Sequence, residues 1–515
     1  PKQWNEGIDQ MTSLPLRRAL PGQQRVSARG VSDFIDAVNA AGLELHSFML
    51  YRDGAVVAEA FWAPYRADRL HVQHSATKSW VSMAIGLLVD DGVLSLDAKV
   101  VDFFPGQCPT PISQHLAAMT VRDLLTMRTG HRQGISGGAW RGRSESWVRL
   151  FLNEPVEDPP GQRFIYSSAS SFMLSAIVSV VSGQTAFELC NARIFEPMGM
   201  GRIEWDLAPG GYNTGGNGLS CSTEDLLKFG VLHLQQGSWE GQQLLSREWV
   251  AEATRGHVED VWMGAFDGKR YLGRDESGAA GITRREGYGY QGWMTLHGGD
   301  YAFGVFGQQC IVLPQQNAVI AFTAGLPLGE RRLHSLLWEH LLPALDGPAD
   351  SAADPQLAAL LARQQRPSLS GASTSSRQAG FSGTFEMQAN EDQVSQVRLV
   401  FGDGYCDFYL TDPRGSHCIR AGFTDAIESR TSMTGHYLHH QYQPDMTPVV
   451  AQAVWTADGA LSMSWQFVET AFCDRVTCRL EHGTLSVDRS VNVNAGPLQR
   501  PTLTGHPATV FQESP

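Results

Sequence analysis

Alternating apolar and polar positions run from Leu43 to Tyr51 and again from Ala55 to Trp62, separated by Arg52-Asp53-Gly54. That pattern predicts a β-hairpin, because Asp-Gly supplies the positive φ angles that a tight turn between twisted strands needs. Ser75 to Val89 is apolar almost throughout and predicts a buried helix, closed by Asp90-Asp91-Gly92 with Gly92 as the stop. Thr120 opens a short helix over Val121 to Met127. Ser171 to Val181 predicts another, ending near Gly183, and Thr223-Glu224-Asp225 caps a third over Leu226 to Gln236. From Tyr288 to Ala324 the period returns to two, with a hairpin turn at Gly298-Gly299, and Leu333 to Leu342 forms an amphipathic helix stopped by Pro343. Strands at both ends with helices between predict an α+β domain: one antiparallel sheet covered by helices.

The pattern breaks after residue 346. Residues 347–380 hold a short helical stretch from Pro355 to Arg366 and then Pro-Ser-Leu-Ser-Gly-Ala-Ser-Thr-Ser-Ser, a tract too polar to build a core, which reads as a linker. Residues 381–515 alternate in short runs (Val397–Phe401, Cys406–Leu410, Val449–Trp455, Leu461–Phe467) separated by turn signals such as Asp412-Pro-Arg-Gly415. They predict an all-β domain, a sandwich or a small barrel. At 515 residues the chain exceeds one ordinary core, in keeping with domains at 1–346 and 381–515.

Charge narrows the partners. Forty basic against fifty-three acidic side chains give a net charge of −13, which argues against a nucleic-acid binder and against docking on an anionic membrane. No apolar run reaches the about 18 residues of a membrane-spanning helix. The chain opens on Pro1 without a methionine, so an upstream segment is expected to have been removed, and Pro1 to Val31 shows no signal pattern. Eight scattered cysteines include no CxxC pair, so buried thiols are expected rather than a zinc site. His436-Tyr-Leu-His-His440 lacks a complementary ligand set and reads as solvated strand histidines, so no metal is expected.

One segment carries chemistry. In His74-Ser75-Ala76-Thr77-Lys78 the lysine lies one helical turn from the serine, within reach of its hydroxyl. A serine becomes a nucleophile beside a base, and a lysine serves as that base when its ammonium is destabilised. The apolar residues after Lys78 provide such burial, and the helix N-terminus favours an oxyanion at Ser75. Ser-x-x-Lys is a common tetrapeptide, yet it occurs once here, on one of only five lysines against thirty-five arginines. The plainer reading has Ser75 as a cap and Lys78 reaching solvent.

Gln73-His-Ser-Ala-Thr-Lys-Ser-Trp80, continuing into Ile85-Gly-Leu-Leu-Val-Asp-Asp-Gly92, resembles the nucleophile helix of the serine β-lactamases and penicillin-binding proteins, class C branch. That branch includes β-lactamase-fold carboxylesterases, nylon-oligomer hydrolases and D-aminopeptidases. Thr120 to Gly130, Gly161 to Ser168, Ile194 to Met200 and Gly218 to Asp225 resemble further segments of it, so the likeness runs from about Val31 to Leu345. It implies the β-lactamase/penicillin-binding-protein fold, an acyl-enzyme on Ser75, and proton transfer shared by Lys78 and Tyr166, without a cofactor. It also implies a periplasmic or secreted protein, with a homo-oligomer left open. Tyr166 taken alone reads as a half-buried strand tyrosine, and the resemblance reverses that reading.

Departures from the family bear on substrate. The Lys-Thr-Gly of β-lactamases is missing. His297-Gly298-Gly299 or Ala302-Phe303-Gly304-Val305-Phe306-Gly307-Gln308 takes its place, and the second resembles the Gly-x-x-Gly-Gln of nylon-oligomer hydrolases. On that alignment the backbone N–H groups of Ser75 and Val305 form the oxyanion hole, and Gly304, Phe306 and Gln308 contact substrate; a bulged strand is the plain alternative for the two glycines. Tyr-x-Asn has become Tyr166-Ser167-Ser168, placing Ser168 where the family has a substrate-contacting amide. Small esters or unstrained amides are therefore expected as substrates rather than β-lactams, with a D-amino-acid peptidase or penicillin-binding protein, and a non-catalytic binding protein, as alternatives. Tyr288, Tyr290 and Trp293 line an acyl pocket or belong to the core, and His74 and His131 lie in neighbouring segments.

Overall fold

The computed structural model describes residues 2–4, 14–135, 141–259, 261–263, 270–271, 282–284, 286–348, 350–433 and 435–508. The chain divides into two compact units, 1–364 and 365–515.

In the first unit, β1 (Leu45–Arg52) and β2 (Ala55–Phe61) form the expected hairpin, with Asp53 at φ 45° and Gly54 at φ 91° as its two-residue turn. They join β3 (Trp293–Met294), β4 (Asp300–Gly304), β5 (Gln308–Leu313) and β6 (Ala318–Ala324) in a six-stranded antiparallel sheet of order β3-β4-β5-β6-β1-β2. Period two sends alternate side chains to opposite faces. Met49, Tyr51, Val319 and Ala321 enter one core; Phe48, Leu50, Ile320 and Phe322 enter another.

The helices around the sheet include α1 (Ala28–Ala40), α2 (Thr77–Asp90), α3 (Val121–Leu125), α4 (Ser168–Ser182), α5 (Thr223–Leu234), α6 (Arg332–Leu336), α7 (Leu342–Asp346) and α8 (Asp354–Ala362). Helix α1 buries Val31, Phe34, Ile35 and Val38 in the core that holds Phe48 and Phe322. Helix α5 lies on the other face. A methyl on its Gly230 would sit 2.5 Å from both Cys310 Sγ and Val319 Cγ1, so glycine is what lets the helix approach the sheet. Its cap is Ser222, one residue earlier than expected, whose hydroxyl accepts from the Asp225 N–H at 3.0 Å.

Pro343 does not stop the last helix. A wide turn, Leu337–Leu341, in which the Leu342 N–H bonds to the Leu337 carbonyl, joins α6 to α7. Pro343, lacking an N–H, then falls in the first turn of α7, where a donor has no helical partner in any case. Helix α8 occupies part of the tract read as a linker and buries Leu357 and Leu360 against the α1 side of the sheet. Among the described residues no single helix is long and apolar enough to cross a membrane.

The second unit is a sheet of ten strands: β7 (Gly383–Met387), β8 (Gln396–Gly402), β9 (Tyr405–Asp412), β10 (Gly415–Gly422), β11 (Ile427–Thr431), β12 (Thr447–Trp455), β13 (Leu461–Gln466), β14 (Cys473–Glu481), β15 (Thr484–Val491) and β16 (Leu503–Pro507). Their order is β10-β9-β8-β7-β16-β15-β14-β13-β12-β11, and a parallel bridge between Gly422 and Gln452 joins β10 to β12, closing the ring through nine of them. His439, expected on a solvated strand, instead lies in a turn, buried, with its Nε2 2.7 Å from the fully buried Asp474 carboxylate. Burial alone would raise that carboxyl group's pKa, but Arg489 and His439 hold it below its ordinary value.

Candidate active site

The strand pair His71–Val72 and Leu219–Cys221 delivers the chain to Gln73, whose carbonyl accepts the Ala76 N–H at 3.0 Å. His74 then takes φ 46°, a left-handed conformation uncommon for a residue with a Cβ. This sharp entry leads through the 3₁₀ turn His74–Ala76 into α2. It leaves Ser75 partly exposed while His74, Ala76, Thr77 and Lys78 around it are buried.

Lys78 follows one turn later, 1 % exposed. Its Nζ donates to Ser75 Oγ at 3.1 Å, to Ser168 Oγ at 3.0 Å and to the Gly216 carbonyl at 2.6 Å. All three acceptors are uncharged, and among the described residues Lys78 has no ion-pair partner. Burying an unpaired ammonium costs several kcal/mol, more than hydrogen bonds to neutral oxygens return. Burial, assisted by repulsion from Arg141, accordingly pushes the amine well below its ordinary pKa of 10.5.

Tyr166 lies beside this amine, with Nζ 5.0 Å from the ring centroid. Its ring stacks on Trp293 at 5.5 Å and meets Tyr288 edge-on at 6.5 Å. Both partners are buried, as is Tyr290, whose hydroxyl accepts from Arg122, so the three aromatics back the site as core rather than line a pocket. The segment bearing Tyr166 is fixed by the Ile165 N–H to the Met127 carbonyl at 2.8 Å, and by Gly134, where a methyl would lie 1.8 Å from the Tyr166 carbonyl. Gln291 links three elements: its carbonyl accepts from Ser79 on α2, its side-chain oxygen from Ser171 on α4, and its amide nitrogen donates to the Leu124 and Leu125 carbonyls of α3.

The β4–β5 hairpin forms the remaining wall. A methyl on Gly304 would stand 2.2 Å from the Gln73 carbonyl, so this glycine brings the hairpin onto the turn that carries Ser75. The Gly307 N–H bonds to the Gly304 carbonyl at 3.1 Å across Val305 and Phe306, with Phe306 at φ 69° and Val305 partly exposed. Gly298, the other candidate, turns β3 into β4 and faces Gln315.

Three of the residues expected to contact substrate have protein partners of their own. Gln308 is fully buried; its amide nitrogen donates to the Val305 carbonyl at 2.9 Å and its oxygen accepts the Ala324 N–H at 2.9 Å, so it fastens the turn from behind. Phe306, 2 % exposed, packs edge-on against His74 at 5.5 Å. Ser168 holds Lys78. His131 is buried against Phe151, with Nδ1 2.8 Å from Thr129 Oγ1, and burial lowers its pKa to about 4. Sequence reasoning missed the Gly216 carbonyl and Arg141. For Gly216 the signal lay in Gly215-Gly216-Asn217-Gly218: a methyl there would sit 2.7 Å from the Ser168 carbonyl, so glycine is required for the loop to reach the lysine.

A hydroxyl, a destabilised amine and a phenol thus converge beside a tight backbone turn on an α+β scaffold. Residues 31–337 match the family model described as Beta-lactamase, and the chain belongs to that family. It is 23% identical over 299 residues to 6-aminohexanoate-dimer hydrolase of Paenarthrobacter ureafaciens, covering 55% of this chain and 72% of that protein. It is 29% identical over 171 residues to esterase EstB of Burkholderia gladioli, covering 30% of this chain but only 43% of that one. Among solved structures, the octameric penicillin-binding protein homologue from Pyrococcus abyssi aligns over 93% of this chain and 99% of its own, at 14% identity and a TM-score of 0.45.

Proposed function

We propose that this protein is a serine hydrolase that cleaves small esters or unstrained amides through an acyl-enzyme on Ser75. The observation that carries the reading is the buried Lys78 amine, 3.1 Å from the Ser75 hydroxyl and with its basicity lowered. As a neutral amine it keeps two N–H donors for Ser168 and Gly216, and its lone pair faces the serine. It takes the hydroxyl proton as Ser75 Oγ bonds to the acyl carbon. The carbonyl oxygen gathers negative charge opposite the N–H groups of Ser75 and Val305. As the carbon–oxygen or carbon–nitrogen bond breaks, the Lys78 ammonium returns the proton to the leaving group, with the Tyr166 phenol as carrier. Water repeats the sequence to release the acid. Efficient β-lactam turnover is not expected, because both the Lys-Thr-Gly cation and the Tyr-x-Asn amide are replaced.

Nitrophenyl acetate and butyrate test the reading, with intact mass measured after a panel of acyl donors that includes a penicillin and a D-alanyl peptide. The expected result is nitrophenol release with a transient mass gain of one acyl group, both lost in Ser75→Ala by at least about 10³-fold. Turnover unchanged in Ser75→Ala would sink the mechanism. Preferential turnover of the D-alanyl peptide would move the assignment to a peptidase on the same chemistry.

A further inference from the structure

Helix α3 closes on a residue ill suited to its conformation. The Arg128 N–H bonds to the Asp123 carbonyl at 2.8 Å and the Met127 N–H to the Leu124 carbonyl at 3.3 Å. This pair of bonds ends a helix when the residue after the cap turns left-handed, and glycine ordinarily fills that place because a Cβ there crowds the backbone. Gly92 and Gly183 do so after α2 and α4, each at φ 72°. After α3 the residue is Met127, at φ 57°. Backbone outliers of this kind concentrate at functional sites, where the surrounding structure holds them.

Met127 uses its two acceptors on either side of Tyr166. Its carbonyl takes the Ile165 N–H at 2.8 Å, and its Sδ takes the Ser167 N–H at 3.4 Å. Met127 and Ser167 are both buried, so without the sulfur the Ser167 amide would be a donor stranded in the interior. A thioether is a weak acceptor, but its long unbranched chain reaches where a backbone oxygen does not. The same helix end also receives the Gln291 side-chain amide, through the Leu124 and Leu125 carbonyls, and the Gln291 carbonyl accepts from Ser79, the residue after Lys78. One turn of chain therefore sets the phenol and the amine-bearing helix against each other.

We propose that Met127 is a positioning residue for Tyr166: by holding the amides on both sides of the tyrosine, it keeps the phenol where it gives its proton to the leaving oxygen and takes one from the Lys78 ammonium. The inference rests on the carrier role given to Tyr166 above and adds the residue that sets its place.

The test compares two butyrate esters by kcat/KM, which reports formation of the same butyryl-enzyme. Ethoxide leaves only with a proton, whereas nitrophenolate leaves as the anion, so a misplaced carrier slows ethyl butyrate and spares nitrophenyl butyrate. Met127→Leu keeps the volume and removes the acceptor. It is expected to lower kcat/KM about tenfold on ethyl butyrate and less than about twofold on nitrophenyl butyrate. Hydrogen exchange of the peptide carrying Ser167, read by mass spectrometry, should quicken at least about tenfold at that amide. Met127→Ile takes the place of the leucine variant should that variant lose its cooperative melt. Tyr166→Phe is expected to show the same selectivity with a larger loss, at least about a hundredfold on the ethyl ester. Equal losses on the two esters, no loss on either, or unchanged exchange at Ser167 would overturn the proposal while Tyr166→Phe still discriminates between them. Loss of that discrimination in Tyr166→Phe itself would overturn the carrier role, and this inference with it.

Discussion

Among the described residues the first unit buries two lysines, and their settings differ at one position. In α2, Ser75-Ala-Thr-Lys78 places a hydroxyl one turn before the amine; in α5, Asp225-Leu-Leu-Lys228 places a carboxylate there. Lys228 lies 3.7 Å from Asp225 and donates to the Gly199 carbonyl at 2.7 Å. Burial lowers its basicity too, but the Asp225 charge opposes that shift. Lys78 has only neutral acceptors, and Arg141 adds to the lowering. On the proposed mechanism the same side chain is a structural cation in one helix and a base in the other, and the residue three positions earlier makes the difference.

Replacing each lysine by methionine sharpens the contrast. Lys78→Met is expected to cut ester turnover roughly 10²–10⁴-fold, the worth of a positioned base. Lys228→Met should leave turnover within about twofold, measured on protein that remains folded. Stability is expected to reverse the order. Lys228→Met strands a buried carboxylate and should cost about 3 kcal/mol in urea unfolding, near the low end for a broken buried pair because Ser222 and the Gly201 N–H still serve Asp225. Lys78→Met strands no charge and should stay within about 1 kcal/mol. Equal activity losses in the two variants would break the comparison.

His131 extends the comparison to a third buried base without a counter-charge of its own. Its folded pKa, about 4 against an ordinary 6.5, means that the unfolded chain binds the extra proton first. That contribution is complete above pH 6.5 and lost as pH falls to 4, a change of about 3 kcal/mol that His131→Gln should remove from the acid limb of a stability profile. The smallest effect concerns Arg141. Because its charge lowers the Lys78 pKa, Arg141→Gln should move the acid limb of the rate profile to higher pH, by less than about one unit.

Much of the first unit was legible in the chain. Asp53-Gly54 specified its turn, the single Ser-x-x-Lys on a scarce lysine marked a hydroxyl and an amine that the fold brings into hydrogen-bond contact, and Gly92 and Gly183 ended their helices. The misses share a cause. Whether Gln308 faces substrate or the back of its own turn depends on hairpin register and on β6 lying behind it, neither of which is a local property. Gly216 contributes a carbonyl, which every residue has, so only the glycine run around it could draw attention. Pro343 read as a stop because a wide turn ahead of it is not written in any short pattern. Tyr166 was legible only through likeness to a family, since an isolated tyrosine after Phe164-Ile165 looks like any sheet residue.

The Gly304–Gly307 turn lies against Gln73, two residues before Ser75, while Gln308 secures it from inside. On the proposed mechanism the useful group is the Val305 N–H, which nineteen of the twenty amino acids supply equally well. Side-chain identity at that point is thus uncoupled from the acyl-transfer step, so substrate preference can drift there by single substitutions while the reaction itself is inherited intact.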